Sequence, residues 1–219
     1  ALGDVLTSLE VKDLSGLLNG FTNFNEDISD WDVSQVTDMS EMFKGAQAFN
    51  QNLSNWTISN LKSANNIFDD TPLADSYEED NLNSASIWNS WVSQINSTNV
   101  TAVGHVMNSL GVKDLSQLFK GATNFNENVG TWDVSEVTDM SGMFQNARAF
   151  NQNIGGWNVH RVKDMSSMFR MARHFNQNIR AWNVEGVTNM KFMFHNDQDF
   201  NNNIGSWNEH QVRDMGKMF

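Results

Sequence analysis

At 219 residues, with 39% apolar side chains and no cysteine, the chain has room for one large domain or two small ones and cannot form a disulfide framework or a thiolate metal site. Its net charge is −12, and the excess lies in residues 1–100, where Lys12, Lys44 and Lys62 face fifteen carboxylates; residues 101–219 hold eleven of each sign. The acidic balance argues against a nucleic-acid partner, and no stretch approaches the ~20 apolar residues of a direct membrane insertion.

From the N-terminus, residues 1–11 read as a helix-like start and the segment from Val11 as a partial repeat. From Phe24 a 25-residue unit sets in: FNEDISDWDVSQVTDMSEMF (Phe24–Phe43) returns as FNENVGTWDVSEVTDMSGMF (Phe125–Phe144). Phe-Asn occurs at Phe24, Phe49, Phe125, Phe150, Phe175 and Phe200, and tryptophan follows seven residues later at Trp31, Trp56, Trp132, Trp157, Trp182 and Trp207. ISDWDV alternates as a short strand does. In DMSEMFKGA, Met39, Met42, Phe43 and Ala46 fall at helical intervals, which predicts a short helix capped near Asp38.

The second repeat decays. Ala64 stands in the methionine slot, and the following IFDDTPLADSYEEDN carries the only proline, Pro72, with Asp69, Asp70, Asp75, Glu78, Glu79 and Asp80. It reads as a solvated acidic loop that ends the first module, since the ligand spacing of a Ca²⁺ loop is absent. SASIWNSWVSQIN then places Ile87, Trp88, Trp91, Val92 and Ile95 on one helical face, and Val100 to Leu110 predict a second helix. These helices are expected to cap the open end of the second module. A shift of 101 residues superimposes the start of the chain on residues from Ala102 onward, so the module is duplicated. The expected domains are residues 1–80, a linker with capping helices at 81–111, and a second module at 112–219. In its last repeat Glu209 replaces Val33, Val134, Val159 and Val184, and the chain stops in mid-repeat at Phe219. It reads as a piece of a longer tandem array.

A unit of this size cannot bury its own apolar face, whereas stacked units bury one another's. The expected fold is therefore α/β: a solenoid of 25-residue strand, turn and short-helix coils in two tandem modules with helical caps. Like residues would stack at about one strand spacing, ~4.8 Å, with Trp31, Trp56, Trp132, Trp157, Trp182 and Trp207 as one ridge. The asparagines after each phenylalanine (Asn25, Asn50, Asn126, Asn151, Asn176 and Asn201) are expected to form a turn-forming ladder.

FNQNIGGWNVHRVKDMSSMF (Phe150–Phe169) resembles the BspA-type leucine-rich-repeat region, also called the DUF285 repeat, and the resemblance covers residues 11–70 and 112–219. It implies a leucine-rich-repeat-like solenoid with parallel strands on one face. It also implies an extracellular or cell-surface location and a role in adhesion or protein contact. The family brings no catalytic residues.

In that geometry the residues beside the buried Trp and Val point outward: Asp32, Thr57, Asp133, Asn158, Asn183 and Asn208, then Ser34, Ser59, Ser135, His160, Glu185 and His210. This strand face is the candidate partner surface; it also reads as a merely solvated face. His160, Glu185 and His210 share one column, but paired metal-ligand spacing such as H-E-x-x-H is absent, so no metal is assigned. No G-x-S-x-G, phosphate loop or dinucleotide fingerprint occurs, so neither enzyme activity nor a cofactor is expected. Sequons at Asn52, Asn55, Asn96 and Asn99 are candidate glycan acceptors. The chain reads as a structural and adhesive repeat module within a longer surface or filament protein. Its expected partner is a protein or cell surface, including other copies of itself head to tail. The alternative is a receptor domain that takes a glycan or divalent ion on the strand face.

Overall fold

Two left-handed residues, four positions apart, set the backbone of each repeat: Glu41 and Gly45, Asn66 and Asp70, Gln117 and Gly121, Gly142 and Asn146, Ser167 and Met171, Phe192 and Asn196. An α-helix needs unbroken right-handed φ/ψ, so none forms over Met39–Ala46 despite its apolar spacing. The N–H groups of this stretch alternate between two kinds of acceptor. Met42, Lys44 and Ala46 donate to the carbonyls three residues back, closing consecutive turns. Met39, Glu41, Phe43 and Gly45 donate to Ser63, Asn65, Ile67 and Asp69 of the next coil at 2.8–3.1 Å. The second module repeats the scheme: Met140, Gly142, Phe144 and Asn146 donate to Asp164, Ser166, Met168 and Arg170.

This computed structural model describes residues 10–74 and 81–219 and divides into two compact units, Ala1–Val112 and Lys113–Phe219. Residues 1–9 of the helix-like start expected over residues 1–11, and the acidic run Asp75 to Asp80, lie outside the described residues. Among the described residues there are two α-helices, α1 (Leu82–Val92) and α2 (Val100–Ser109), and one short 3₁₀ turn, Val129–Thr131. Parallel pairing is confined to isolated bridges, Asp13 to Asp38 to Ser63 and Asp114 through Asp139, Asp164 and Asn189 to Asp214. The expectation of an α/β, leucine-rich-repeat-like solenoid is therefore wrong. The described coils have no short helix, and no strand builds a sheet. The predicted strand ISDWDV is broken by turns in which Trp31 N–H donates to Ile28 and Val36 N–H to Val33. Trp31 and Val33 do face inward while Asp32 faces out, so period-two alternation survives without a ladder.

Side chains supply the cohesion that a sheet would have given in this stretch. The indole N–H of Trp56 donates to Ile28 O, that of Trp157 to Val129 O, that of Trp182 to Ile154 O and that of Trp207 to Ile179 O, at 3.0–3.2 Å. Trp157, Trp182 and Trp207 stack in sequence with ring centroids 6.3–6.4 Å apart, and Trp132 is buried at the start of that module. Phe119, Phe144, Phe169, Phe194 and Phe219 form a second file at 5.5–5.8 Å. Phe125, Phe150, Phe175 and Phe200 form a third at 5.9–6.1 Å. These spacings exceed the expected ~4.8 Å of paired strands. The two phenylalanine files also stack on each other within a coil, with Phe144 to Phe150 at 3.8 Å. Met140, Met165 and Met190 are fully buried beside them.

Within the first unit, the helices lie on its last coil. Several donors and acceptors of that coil that would otherwise meet a following coil are answered by helix side chains. On α2, His105 Nδ1 accepts from Ala64 N–H at 3.5 Å and Ser109 Oγ from Phe68 N–H at 3.0 Å. These acceptors are one helical turn apart and face donors that also stand four residues apart. Trp91 of α1 stacks on Trp56 at 6.3 Å and donates to Leu53 O, so a helix residue extends the tryptophan file. Gln94 accepts from Ile58 N–H and donates to Trp56 O, and Asn83 donates to Asn50 O.

Truncating Trp182 to Ala is expected to destabilise the second module by about 3–5 kcal/mol, as removal of a buried aromatic does, read by denaturant unfolding. Trp182→Phe should lose less, because most of the burial stays while the bond to Ile154 disappears. Burial lowers the pKa of His105 from 6.5, outweighing the raising effect of Asp38. Its contribution is therefore complete above 6.5 and falls away as pH drops below it, where the unfolded chain binds the extra proton. His105→Gln keeps an acceptor without titrating, so it should flatten that acid-side loss in pH-dependent unfolding.

Candidate functional site

The outward column is built from turns rather than a strand face. Asp32 Oδ1 accepts from Ser34 N–H and Asp133 Oδ1 from Ser135 N–H, both at 3.0 Å, and Asn183 Oδ1 accepts from Glu185 N–H at 3.1 Å. Each side chain closes its own turn, as Asp and Asn do where the chain reverses. The Ser34 hydroxyl and backbone N–H hold the Asp32 carboxyl below its ordinary range. In two later coils the ring takes this role: His160 Nδ1–H donates to Asn158 at 3.0 Å and His210 Nδ1–H to Asn208 at 2.6 Å. Asp32, Asp133, Asn158, Asn183, Asn208, His160, Glu185 and His210 are all exposed. The fold thus sets them out coil by coil in one register. It does not gather His160, Glu185 and His210 around a point: among the described residues no group of three or more His, Asp or Glu is placed to hold a metal ion.

The asparagine column has a different task. Asn151 N–H donates to Asn126 Oδ1, Asn176 N–H to Asn151 Oδ1 and Asn201 N–H to Asn176 Oδ1, at 2.9–3.0 Å. Gln152, Gln177 and Asn202 each add a bond to the backbone carbonyl of the asparagine one coil back. These amides are spent on holding coils together. Of the sequons, Asn99 is fully buried and donates to Ile58 O and Gln94 O, so it cannot carry a glycan in the folded chain.

Sequence reading missed two features. One is an open polar cavity of about 420 Å³ in the first module, between its last coil and α2, with Asn66, Asp69, Asp70, His105 and Asn108 on its walls. The second repeat's decay and the helix after it were both visible, but their docking was not. The other is Asp197, which occupies the coil position of the fully buried Ala46, Ala147 and Ala172. Its Oδ1 accepts from Asp199 N–H at 3.3 Å, whereas Oδ2 is buried without a hydrogen-bond partner. Burial, the largest influence, raises this carboxyl from 3.8 to about 7. Nearby, Asp199 pairs with His174 at 2.9 Å. The break was present in the sequence as Asp197, but Ala46 was expected within a short helix and its recurrence at Ala147 and Ala172 was not drawn on.

The family model described as "Mycoplasma protein of unknown function, DUF285" matches residues 6–108, 89–185 and 155–219. Together these spans cover most of the chain, which belongs to the DUF285 family. Searches of curated proteins and of solved structures each found no match.

The Asp197 carboxyl is protonated more readily folded than unfolded, so its contribution is complete below 3.8 and is lost as pH rises through about 7. Asp197→Ala restores the residue of the other coils. The stability gained by that variant over wild type, from denaturant unfolding, should be larger at about pH 8 than at about pH 5. An equal gain at both values would show that the carboxyl does not titrate in this range.

Proposed function

We propose that this DUF285-family repeat chain is an adhesive and structural module of a longer surface or filament protein, akin to BspA-type proteins in role, that works by protein–protein or cell-surface contact. The observation that carries this reading is the regular display of the outward column. Asp133, Asn158, Asn183 and Asn208 stand at the same place in four successive coils, each exposed and each held by its own turn. A surface made this way offers one weak contact several times over, and linked weak contacts gain strength through effective concentration. The column lacks the buried aromatic anchors that concentrate binding energy in a few residues, which also favours many equivalent contacts over one tight site. Extracellular or surface exposure is part of the same proposal. No helix of the described residues is long and apolar enough to cross a membrane.

Of the receptor alternative's two ligands, a glycan or a divalent ion, the ion has no supporting cluster among the described residues. The contact reading is tested with the fluorescently labelled full chain and cultured cells, read by flow cytometry. Replacing His160, Glu185 and His210 together with Ala keeps the Asn183 turn, whose donor is the backbone N–H at position 185, and removes the ring contacts to Asn158 and Asn208. It is expected to weaken cell binding at least tenfold, on the order expected when several linked contacts are lost. Undiminished binding by a variant that melts like wild type would remove this face from the function.

A further inference from the structure

Phe192 stands at the left-handed position that Gly142 and Ser167 take in the preceding coils and Lys217 in the next. The coil does not require an aromatic there, and the left-handed backbone is unfavourable for a bulky residue. Around its half-buried ring lie three cations. The Arg170 guanidinium carbon is 5.2 Å from the centroid, Lys191 Nζ 5.7 Å and Lys217 Nζ 6.0 Å. His195 meets the ring edge-on at 5.5 Å. The one carboxylate joined to the cluster is Asp214, which pairs with Lys191 at 3.2 Å. Among the described residues no carboxylate pairs with Arg170 or Lys217, and Arg170 Nε is buried without a hydrogen-bond partner. The ring's π face lets like charges gather, and their field is left largely unanswered within the module.

The first module has the opposite charge on the same side of its coils. The 101-residue shift that aligns the modules puts Asp69 at the place of Arg170 and Asp70 at that of Met171. Asp69 and Asp70 stand on the wall of the 420 Å³ polar cavity. Glu41 lies one coil earlier and is held by Lys44 at 3.3 Å. In the cavity His105 is kept neutral at ordinary pH by its burial, so it does not cancel the carboxylates. One chain thus carries a cationic aromatic cluster and an anionic cavity of a size to admit a lysine or arginine head.

We propose that the Phe192 cluster of one copy docks on the Asp69–Asp70 cavity of a second copy, with Arg170 and Lys217 supplying the cations. The proposal deepens the contact-module reading and rests on it, naming the partner as the same chain. The contact joins two different surfaces, so a pair keeps one of each free and association goes on head to tail, either closing into a ring or growing as an open array. Ion pairs at partly exposed sites weaken with salt, and the association should do so too.

The test is sedimentation velocity of the full chain over a range of concentrations, at about 50 mM and about 500 mM salt. Wild type is expected to grow in mass with concentration at low salt and to be monomeric at high salt. R170E/K217E should associate at least tenfold more weakly, and so should D69N/D70K, in which the amide introduced at position 69 keeps an acceptor for the Ser109 hydroxyl. Mixed together, the two variants should associate again, because each supplies the charge the other lacks. R170Q/K217Q serves if the charge reversal unfolds the chain. Wild type that is monomeric throughout overturns the proposal. So does association that survives R170E/K217E, is unaffected by D69N/D70K, or fails to return on mixing. Cell binding measured on the same samples separates the two ideas. A monomeric chain that still binds cells sinks the self-docking alone, and one that does neither sinks the contact reading as well.

Discussion

The structure depends on a single constraint: alternate backbone N–H groups in each turn segment must find carbonyls on the neighbouring coil. Met140, Gly142, Phe144 and Asn146 meet it with Asp164, Ser166, Met168 and Arg170. To aim these donors outward the chain must pass twice per coil through the left-handed region, and it does so even at Met171 and Phe192. That conformation costs roughly 1–2 kcal/mol for a residue with a Cβ. It is offset because the same geometry brings rings of successive coils into register. Phe144, Phe169 and Phe194 follow one another at 5.6–5.8 Å with planes within 7° of parallel. Backbone bonds fix the register, and the register lets large apolar side chains bury one another at about 25 cal/mol per Å².

The constraint also explains the helices. A coil at the end of a stack has N–H groups with no coil beyond it, and unmet buried donors cost about 1–3 kcal/mol each. In the first module α2 meets two of them with His105 and Ser109. The match works because four residues span one helical turn and also separate the outward donors Ala64 and Phe68. Trp91 continues the tryptophan column, and Asn83 makes to Asn50 O the bond that Gln152 and Gln177 make to the asparagine carbonyl one coil back. The helix pair therefore ends a stack by presenting side-chain copies of the next coil.

How far the sequence could be read follows from this. The repeat, its duplication and the burial of Trp157, Trp182, Phe169 and Met165 were visible, because burial follows from residue type and period. The asparagine column was visible as turn chemistry, although its partner proved to be the backbone N–H one coil on. The secondary structure was misread. Met39, Met42, Phe43 and Ala46 have helical spacing, yet consecutive turns with every second N–H directed outward bury the same four positions. Apolar period alone cannot separate these backbones. The glycines at 45 and 142 marked left-handed sites, but Glu41, Ser167, Met171 and Phe192 carry no such mark. The residues of the outward column are exposed, but they stand on turns rather than a strand face, and their turn-closing bonds depended on the backbone that had been misassigned.

Charge then follows the duplication rather than the fold. The two modules share most of their buried columns, with exceptions such as Ala64 at the place of Met165 and Leu18 at that of Phe119. Their turn sides differ in charge: Asp69 in one module stands where Arg170 stands in the other. A stack tolerates such changes because exposed turn residues contribute little to coil-to-coil burial, and exposed ion pairs contribute only about 0–1 kcal/mol to stability. The Phe192 cluster and the Asp69–Asp70 cavity are thus free of the register that governs the core. In a fold this repetitive, residues that depart from the column without serving its packing are where function is best sought. By that measure Asp197, which breaks a buried column, bears on stability, whereas Phe192, which alters an outward one, bears on the proposed contact.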